Sequence, residues 1–393
     1  MRTPCKAEEH NMDDKQKILV ITELLLPTKG GTAVWFDEVY RRIGGKEIHI
    51  VTADVEGAAE HDATHPNTVH RISFVRHWWV RPESLVTYLK LLFNCLFIVL
   101  RHRPNEVHAG RVLPEGLVGW IVARFTRRPI TIYAHGEEIT GWMEPMKHRA
   151  KCFTYRHADR LIANSDFTYN ELLKIGVDQN KITLISPGVD IEHFRPDLKT
   201  DDLLSSIGLT ADSNLILSVG RLSRRKGFDK LLHTVTELKA QGLDVDYALI
   251  GIGEDDTYLR QMAADLDILN HVHFLGHVSP EDLPRWYNAC TLFAMPNREI
   301  NGDTEGFGMV FIEAAACRKP VIAGIAGGTG SAVLNGETGL RVDGESIADI
   351  TSAIKQLLTD TEGYKAMSDK AYTRATNEFS WDAIARKTIS LSE

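Results

Sequence analysis

Cysteine is scarce in this chain. Its 393 residues include five cysteines, and no two of them lie close enough to form a C-x-x-C pair. An odd number of widely spaced cysteines argues against a disulfide framework and favours a reducing, cytoplasmic compartment.

Targeting and membrane signals are also weak. Residues 1–16 are polar and charged and have no apolar core, which predicts a disordered tail rather than a signal peptide. The apolar run Leu85–Leu100 has 16 residues and is interrupted by Lys90 and Asn94, whereas a spanning helix needs about 20 apolar residues. We therefore expect a buried helix packed on a sheet.

An interfacial helix is the alternative for this run. The aromatic and basic residues His77, Trp78, Trp79 and Arg81 precede it, and such a cluster suits the headgroup region of a bilayer. Residues 77–100 would then make a peripheral contact with a membrane.

Positive charge is not in excess either. Lys and Arg number 45 against 53 Asp and Glu, which gives a net charge of −8. This balance argues against a general nucleic-acid binder, which needs a basic surface. The chain also lacks a Walker A loop, and G-x-S-x-G is absent, which argues against a serine hydrolase of the α/β type.

Short apolar runs alternate with helical patterns from residue 17 onward. The first run, residues 17–22, is apolar and β-branched, as a buried parallel strand should be. Further strands are predicted at 47–52, 69–74, 106–109, 130–134, 160–163 and 182–185, and in a second series at 215–219, 247–250, 272–275, 292–295 and 320–323. This alternation predicts an α/β protein with doubly wound parallel sheets.

A polar stretch separates the two series. It runs from Ser186 to Ser213 and starts with a Ser-Pro-Gly turn, which marks a domain boundary. The prediction is two Rossmann-like domains, 17–190 and 191–378, followed by a helical segment, 379–393. Ligands of such domains bind at the carboxyl ends of the strands.

The strongest anion-binding pattern is Gly220–Gly227, which follows a strand and opens a helix. Arg221, Arg224, Arg225 and Lys226 supply positive charge there. Backbone N–H groups at a helix N-terminus favour an anion, so a diphosphate site is one interpretation. A solvated basic loop is the other.

An acidic, glycine-rich motif follows at Asp303–Glu313. Glu305 precedes the predicted helix, and Glu313 lies nearly two turns inside it. Rise along the helix separates the two carboxylates, so they suit two parts of one long ligand rather than a glycosidase pair. Ordinary surface carboxylates are the alternative.

Three weaker features complete the set. Gly30-Gly31 follows the first strand and permits close backbone approach to a ligand, although G-x-G-x-x-G is absent. His135 follows a strand directly and is either a site residue or a structural histidine. His271, His273 and His277 lack the companions that a metal site needs, so no metal is predicted.

Together, Ser218–Gly227 and Glu305–Glu313 resemble motifs of the family 4 retaining glycosyltransferases, the second matching their E-x7-E pattern. The resemblance extends over residues 17–382 and is strongest to bacterial mannosyltransferases of the phosphatidylinositol mannoside and exopolysaccharide type. Supporting matches are Gly30-Gly31, Ala134–Gly136, Pro187–Asp190 and Gly336–Leu340.

This resemblance implies the GT-B fold, with two Rossmann-like domains facing a cleft. The N-terminal domain would lie on the acceptor side, the C-terminal domain would bind the nucleotide sugar, and the last helix would cross back to the N-terminal domain. The turn Gly327–Ser331 departs from the family's Gly-Gly-x-Pro-Glu pattern and lacks its acidic residue.

The resemblance also implies roles for individual residues. Arg221 and Lys226 would bind the donor diphosphate, and Glu305 would contact the donor sugar. Glu313 would hold the ribose hydroxyls, and His135 would face the transferred sugar. Backbone contacts with the donor would come from Gly30, Gly31, His277, Val278, Gly306, Phe307 and Gly308.

The implied activity is metal-independent transfer of a hexose, with mannose favoured, from a GDP- or UDP-linked donor. The acceptor would be a hydroxyl of a glycan, a lipid-linked sugar or a small molecule, and the anomeric configuration would be retained. No cofactor and no nucleic-acid partner is expected, and the location would be cytoplasmic or at the inner face of the membrane. A GT-B-like nucleotide-sugar epimerase and a non-catalytic sugar-nucleotide-binding protein are the alternatives.

Overall fold

The computed structural model of the chain describes residues 16–74 and 85–391. Most of the predicted tail and the aromatic cluster at 77–81 lie outside the described residues. By its internal contacts the chain divides into two compact units. One holds the chain up to Ile132 together with His157–Arg160, and the other holds Tyr133–Arg156 and Leu161–Glu393.

The first sheet has seven strands in the order β3-β2-β1-β4-β5-β6-β7. The strands are β1 (Ile18–Ile21), β2 (His49–Ala53), β3 (Thr68–Ile72), β4 (Glu106–Ala109), β5 (Ile130–Ala134), β6 (Arg160–Ala163) and β7 (Ile182–Leu184). The pairs from β3 through β5, and the pair β6–β7, are parallel. Central strands such as β1 are apolar along their whole length because both faces of the sheet are covered.

Helices α1 to α7 accompany this sheet. They are α1 (Gly31–Ile43), α2 (Ala58–Thr64), α3 (Leu85–His102), α4 (Leu117–Thr126), α5 (Glu137–Gly141), α6 (Pro145–His157) and α7 (Asp166–Lys174).

The second sheet has six strands in the order β10-β9-β8-β11-β12-β13, and every pair is parallel. The strands are β8 (Leu215–Val219), β9 (Asp246–Ile250), β10 (Val272–Gly276), β11 (Leu292–Met295), β12 (Val321–Gly324) and β13 (Leu340–Val342). The helices are α8 (Asp201–Ser206), α9 (Phe228–Ala240), α10 (Asp256–Asp265), α11 (Leu283–Ala289), α12 (Met309–Ala316), α13 (Thr329–Ala332), α14 (Ile347–Thr359), α15 (Thr361–Glu378) and α16 (Trp381–Ile389).

Strand order reverses once in each sheet, between β1 and β4 and between β8 and β11. Loops leave such a reversal in opposite directions and open a crevice at the carboxyl ends of the strands, where ligands of doubly wound folds bind. The predicted α/β class with two parallel sheets is therefore confirmed.

The last helix is tied to the segment between the two series of strands. The Phe379 carbonyl accepts a hydrogen bond from Val189 N–H at 2.7 Å. A Cβ at Gly188 would lie 2.7 Å from both that carbonyl oxygen and the Trp381 ring. The boundary at residue 190 and the assignment of 379–393 to the N-terminal domain stay predictions.

Helix α3 differs from the buried helix that we expected. Its inner face is buried through Leu91, Cys95, Ile98 and Val99. The opposite face leaves Leu89, Phe93, Phe97 and Leu100 between 44% and 73% exposed. The expectation of a buried helix holds for one face only, because neighbouring elements cover one face of a helix that is apolar on more than one. By length and composition α3 could cross a membrane, with 28% of its apolar window buried.

Candidate active site

Two glycines frame the basic loop after β8. Gly227 has φ +76° and precedes α9, and a Cβ there would lie 2.1 Å from the Pro296 carbonyl oxygen. The other end of the loop is Gly220. Gly251 packs against it so closely that a Cβ on Gly251 would lie 1.9 Å from the Gly220 carbonyl oxygen. Side chains at these points would displace the loop, so glycine fixes its path between β8 and α9.

A cluster of two cations and one carboxylate occupies this loop. Lys226 Nζ lies 2.5 Å and Arg225 Nη1 lies 2.9 Å from the same oxygen, Oε2, of Glu305. The three side chains are between 11% and 19% exposed. Burial alone would favour the protonated acid, but the charges of Lys226 and Arg225 outweigh it and lower the pKa of Glu305 to about 2.

The cluster joins two motifs that lie 79 residues apart in sequence. The sequence analysis gave Lys226 to the diphosphate and Glu305 to the sugar, and the structure shows them in direct contact. Arg225, which also approaches Asp303 at 3.3 Å, was noted only as added charge. Nothing in a run of basic residues tells which side chain turns inward.

Arg221 lies apart from the cluster. Its side chain is 74% exposed and pairs with Glu254, itself 54% exposed, at 3.0 Å. An exposed pair of this kind contributes about 0–1 kcal/mol and is readily exchanged for another anion. The role of Arg221 in binding the diphosphate stays a prediction.

Glu313 occupies the interior of α12, well separated along the helix from Glu305. Tyr287, which is fully buried on α11, donates a hydrogen bond from its hydroxyl to Glu313 Oε2 at 2.8 Å. Burial raises the pKa of Glu313 to about 7, and the bond from Tyr287 offsets only part of that effect. Glu313 is thus a carboxyl that changes charge near neutral pH.

The glycine turn between these two glutamates lies against the backbone of His135. A Cβ at Gly306 would lie 2.2 Å from the His135 carbonyl oxygen, which accepts a hydrogen bond from Asn164 Nδ2 at 3.0 Å. Gly308 has φ +90° and begins α12, where Phe307 is buried. Only glycine at 306 allows the two backbones to approach this closely.

Buried polar groups hold His135 in place. Glu138 Oε1 accepts hydrogen bonds from His135 N–H at 2.8 Å and from the Tyr155 hydroxyl at 2.6 Å. Lys151 is buried and donates from Nζ to the carbonyls of Glu138, Ile139 and Trp142 at 3.2, 2.6 and 3.1 Å. The sequence analysis missed Lys151 and Tyr155, because a basic helix such as α6 has the composition of a solvated one.

The turn that departs from the family pattern is well ordered by other bonds. Ser331 Oγ donates to Asp166 Oδ2 and accepts from Asp166 N–H, both at 2.9 Å. A Cβ at Gly330 would lie 2.9 Å from the Arg341 guanidinium. Proline at 330 would therefore require Arg341 to move, which links the departure at 330 to Arg341.

The remaining predicted residues lie in the connections that follow strands. Gly30 and Gly31 open α1, and both are exposed. His277 and Val278 directly follow β10, with His277 exposed. Of the other histidines weighed for a metal, His273 Nε2 faces Asp246 Oδ1 at 3.0 Å.

One group of side chains that the sequence analysis missed has the spacing of metal ligands. Asp37, His61 and His65 place one ligand atom each within 4.8 Å of one another. Asn67 N–H, however, lies 3.2 Å from His65 Nδ1, which must therefore accept, so Nε2 carries the proton. His65 Nε2 lies 3.4 Å from Asp37 Oδ1, and as a protonated nitrogen it does not offer a lone pair to a metal.

Two Asp-x-Asp triplets, a pattern that often holds a divalent cation, also occur in the sequence. They are residues 244–246 and 265–267. Asp246 begins β9, and the second triplet ends α10 and leads toward β10. Both precede the strands and so lie at the edge opposite the basic loop.

Comparison with known proteins agrees with this geometry. The family model Glycosyltransferase Family 4 matches residues 29–193, and Glycosyl transferases group 1 matches residues 200–374. The GDP-mannose-dependent alpha-(1-6)-phosphatidylinositol monomannoside mannosyltransferase of Mycolicibacterium smegmatis is 30% identical over 371 residues, which are 93% of this chain and 95% of that protein.

Other similar proteins include D-inositol 3-phosphate glycosyltransferase of Rhodococcus opacus. It is 34% identical over 306 residues, covering 72% of this chain and 67% of that protein. The solved structure of Anabaena HepE in complex with UDP superposes with a TM-score of 0.81 at 21% identity, covering 96% of this chain and 99% of that one. The chain belongs to the family 4 glycosyltransferases and has their GT-B fold.

Proposed function

We propose that this chain is a retaining, metal-independent mannosyltransferase that uses a nucleotide-linked donor, with GDP-mannose favoured. The relatives named above support the sugar and the base, because one of them is GDP-mannose-dependent. The observation that carries the proposal is the contact of Lys226 and Arg225 with Glu305 at the start of α9.

The cluster suits the departure of a nucleoside diphosphate. As the bond from the sugar C1 to the diphosphate breaks, negative charge grows on the phosphate oxygens, and the sugar becomes oxocarbenium-like. An ammonium, a guanidinium and a helix N-terminus stabilise that negative charge at fixed positions. They supply what a divalent cation supplies in other transferases.

Glu305 balances the two cations until the donor arrives. A diphosphate brings at least two negative charges to Lys226 and Arg225, which then need Glu305 less. The released carboxylate can accept hydrogen bonds from sugar hydroxyls and favour the positive charge at C1. The acceptor oxygen bonds to C1 on the face that the diphosphate leaves, and the proton of the acceptor hydroxyl passes to the leaving phosphate.

A lipid-linked acceptor fits the exposed face of α3. Leu89, Phe93, Phe97 and Leu100 form an apolar stripe, which we call the α3 stripe. Arg101 and Arg103 follow it directly in sequence. Apolar side chains next to basic ones are typical of helices that lie in the headgroup region of anionic membranes, and we propose peripheral contact with the inner face of the membrane.

Replacing Lys226 with alanine should abolish most transfer, and excess chelator should leave wild-type transfer unchanged. Losing one fixed charge at the leaving group raises the barrier by about 3–4 kcal/mol, roughly a hundredfold to a thousandfold in kcat. Steady-state kinetics with and without EDTA measure both effects. Arg224→Ala is the matched control, because Arg224 pairs with Asp255. Loss of activity in EDTA, restored by magnesium or manganese, would refute the metal-free mechanism.

Glu305→Gln should separate nucleotide binding from chemistry. The amide removes the negative charge that neutralises Lys226 and Arg225, so GDP should bind more tightly while transfer falls by about a hundredfold. Calorimetry gives the Kd for GDP, and initial rates with GDP-mannose give kcat. Weaker GDP binding, or transfer at the wild-type rate, would contradict the assigned role of Glu305.

Donor binding should strengthen as the pH rises toward 7, because of Glu313. Its pKa of about 7 in the free protein keeps it partly protonated at pH 6, and ribose hydroxyls donate best to the ionised form. Binding should therefore release a proton, and the Kd for GDP should fall between pH 6 and 7. In Glu313→Gln the Kd for GDP should no longer fall between pH 6 and 7. A variant that retains the same slope would exclude Glu313 as its source.

Vesicle binding should depend on the α3 stripe. Phe93→Ser with Phe97→Ser should weaken sedimentation with anionic vesicles about tenfold, because two phenyl groups no longer enter the bilayer interface. Leu269→Ser is the control, since Leu269 is 51% exposed but precedes β10. If both variants bound vesicles equally well, the α3 stripe would not be the surface that contacts the membrane.

A further inference from the structure

The segment between β1 and α1 is held from three sides. Thr52 Oγ1 donates to the Glu23 carbonyl at 3.3 Å, and Arg71 Nη2 donates to the Leu26 carbonyl at 2.7 Å. The third contact is with a buried carboxyl group. Glu23 N–H donates a hydrogen bond to Glu115 Oε1 at 3.0 Å. The segment ends at Gly30, with φ +132°, where α1 begins.

Glu115 is unusual because it is a buried acid without a cationic side chain bonded to it in the structure described. Its side chain is 1% exposed, and Oε2 has no hydrogen-bond partner among the described residues. Burying a carboxyl with one oxygen unpaired costs free energy that leucine would not cost at the same place. Stability of the fold alone does not explain a glutamate at this position.

The position of Glu115 in the sheet suggests a reason. It follows β4, and the segment that it holds follows β1, so the bond spans the point where strand order reverses. We propose that Glu115 is a positioning residue of the transfer reaction, which fixes the segment after β1 so that Gly30 and Gly31 present their backbone to the donor diphosphate. This inference rests on the proposed function, because the two glycines meet a donor only if the chain is such a transferase, as the family resemblance implies.

The charge state of Glu115 decides how firmly the segment is held. Burial raises the pKa of Glu115 to about 7, against the opposing effect of its backbone hydrogen bonds and of Arg111. Glu23 on the segment raises it further, and Tyr88 on α3 has its own pKa raised by burial and by Glu115. The bond from Glu23 N–H favours the ionised carboxylate, but the hydration lost on burial outweighs it, so holding the segment against Glu115 costs more once the acid is ionised.

The sign of the pH effect follows from this. Because the pKa in the folded protein lies above the ordinary value of 4.5, the arrangement is fully favoured below pH 4.5 and weakens as the pH rises from there through 7. The donor KM should therefore rise toward the alkaline end of this range, in the direction opposite to the effect assigned to Glu313.

The test compares Glu115→Gln with Glu115→Leu. Glutamine keeps an acceptor for Glu23 N–H and stays neutral. The donor KM of Glu115→Gln should therefore remain within about twofold of wild type and should no longer rise as the pH increases toward 7. Leucine removes the acceptor and should raise the donor KM about tenfold. Glu106→Gln and Glu106→Leu are matched controls, since Glu106 is a buried glutamate at the other end of β4, and their donor KM should stay near that of wild type.

A second measurement does not depend on transfer. Hydrogen–deuterium exchange of amides 22–31 should be faster in Glu115→Leu than in wild type and Glu115→Gln. The inference would be overturned by a donor KM in Glu115→Leu equal to that of wild type. It would also be overturned if the donor KM of Glu115→Gln still rose with pH as it does in wild type. If the wild type transfers no sugar while exchange responds as expected, the proposed function fails and the hold on the segment stands. If Glu115→Leu does not fold, the pH profile of Glu115→Gln decides.

Discussion

The pairing of Lys226 and Arg225 with Glu305 is the interaction on which the basic loop and the acidic motif both depend. It connects the loop after β8 to the loop before α12. Each partner would be costly to bury alone, because an unpaired charge in a water-poor site loses its hydration. The cluster therefore holds two cations in a largely buried position at little cost, and under the proposed function a diphosphate takes over the place of the carboxylate.

Parallel sheets with reversed strand order make such a cluster accessible. At the reversal between β8 and β11, loops diverge and leave room for a ligand at the carboxyl ends of the strands. Glycine then sets how close the backbone comes, as at Gly306, which touches the His135 carbonyl oxygen. Precise placement thus comes from missing side chains as much as from those that are present.

Sequence patterns were sufficient for the regular part of this fold and for the position of Glu305 before α12 and of Glu313 within it. Buried parallel strands such as β8 are continuous apolar runs, so they were visible without any structure. Strand β13 was missed because its three residues form too short a run, and α5 because a five-residue helix has no periodicity to detect. The sequence left open whether α3 is buried or interfacial, since composition records how apolar a helix is and says nothing of which face its neighbours cover.

Arg225 was visible only as one member of a basic run, and Lys151 and Glu115 were not predicted, for a common physical reason. Arg225, Lys151 and Glu115 are ionisable side chains in segments whose composition is typical of surfaces or turns, and what distinguishes them is inward orientation. Orientation depends on contacts far away in sequence, such as that of Glu115 with Glu23 across 92 positions. Family resemblance located the motifs, but the supporting shell is visible only in three dimensions.

Lys151 has a consequence of another kind. Its ammonium group is surrounded by three backbone carbonyl oxygens, the same ligands that hold potassium ions in proteins. The turn from His135 to Trp142 therefore carries its own covalently attached monovalent cation. Its geometry does not vary with the sodium or potassium content of the medium, and no free ion needs to be captured before the turn can fold.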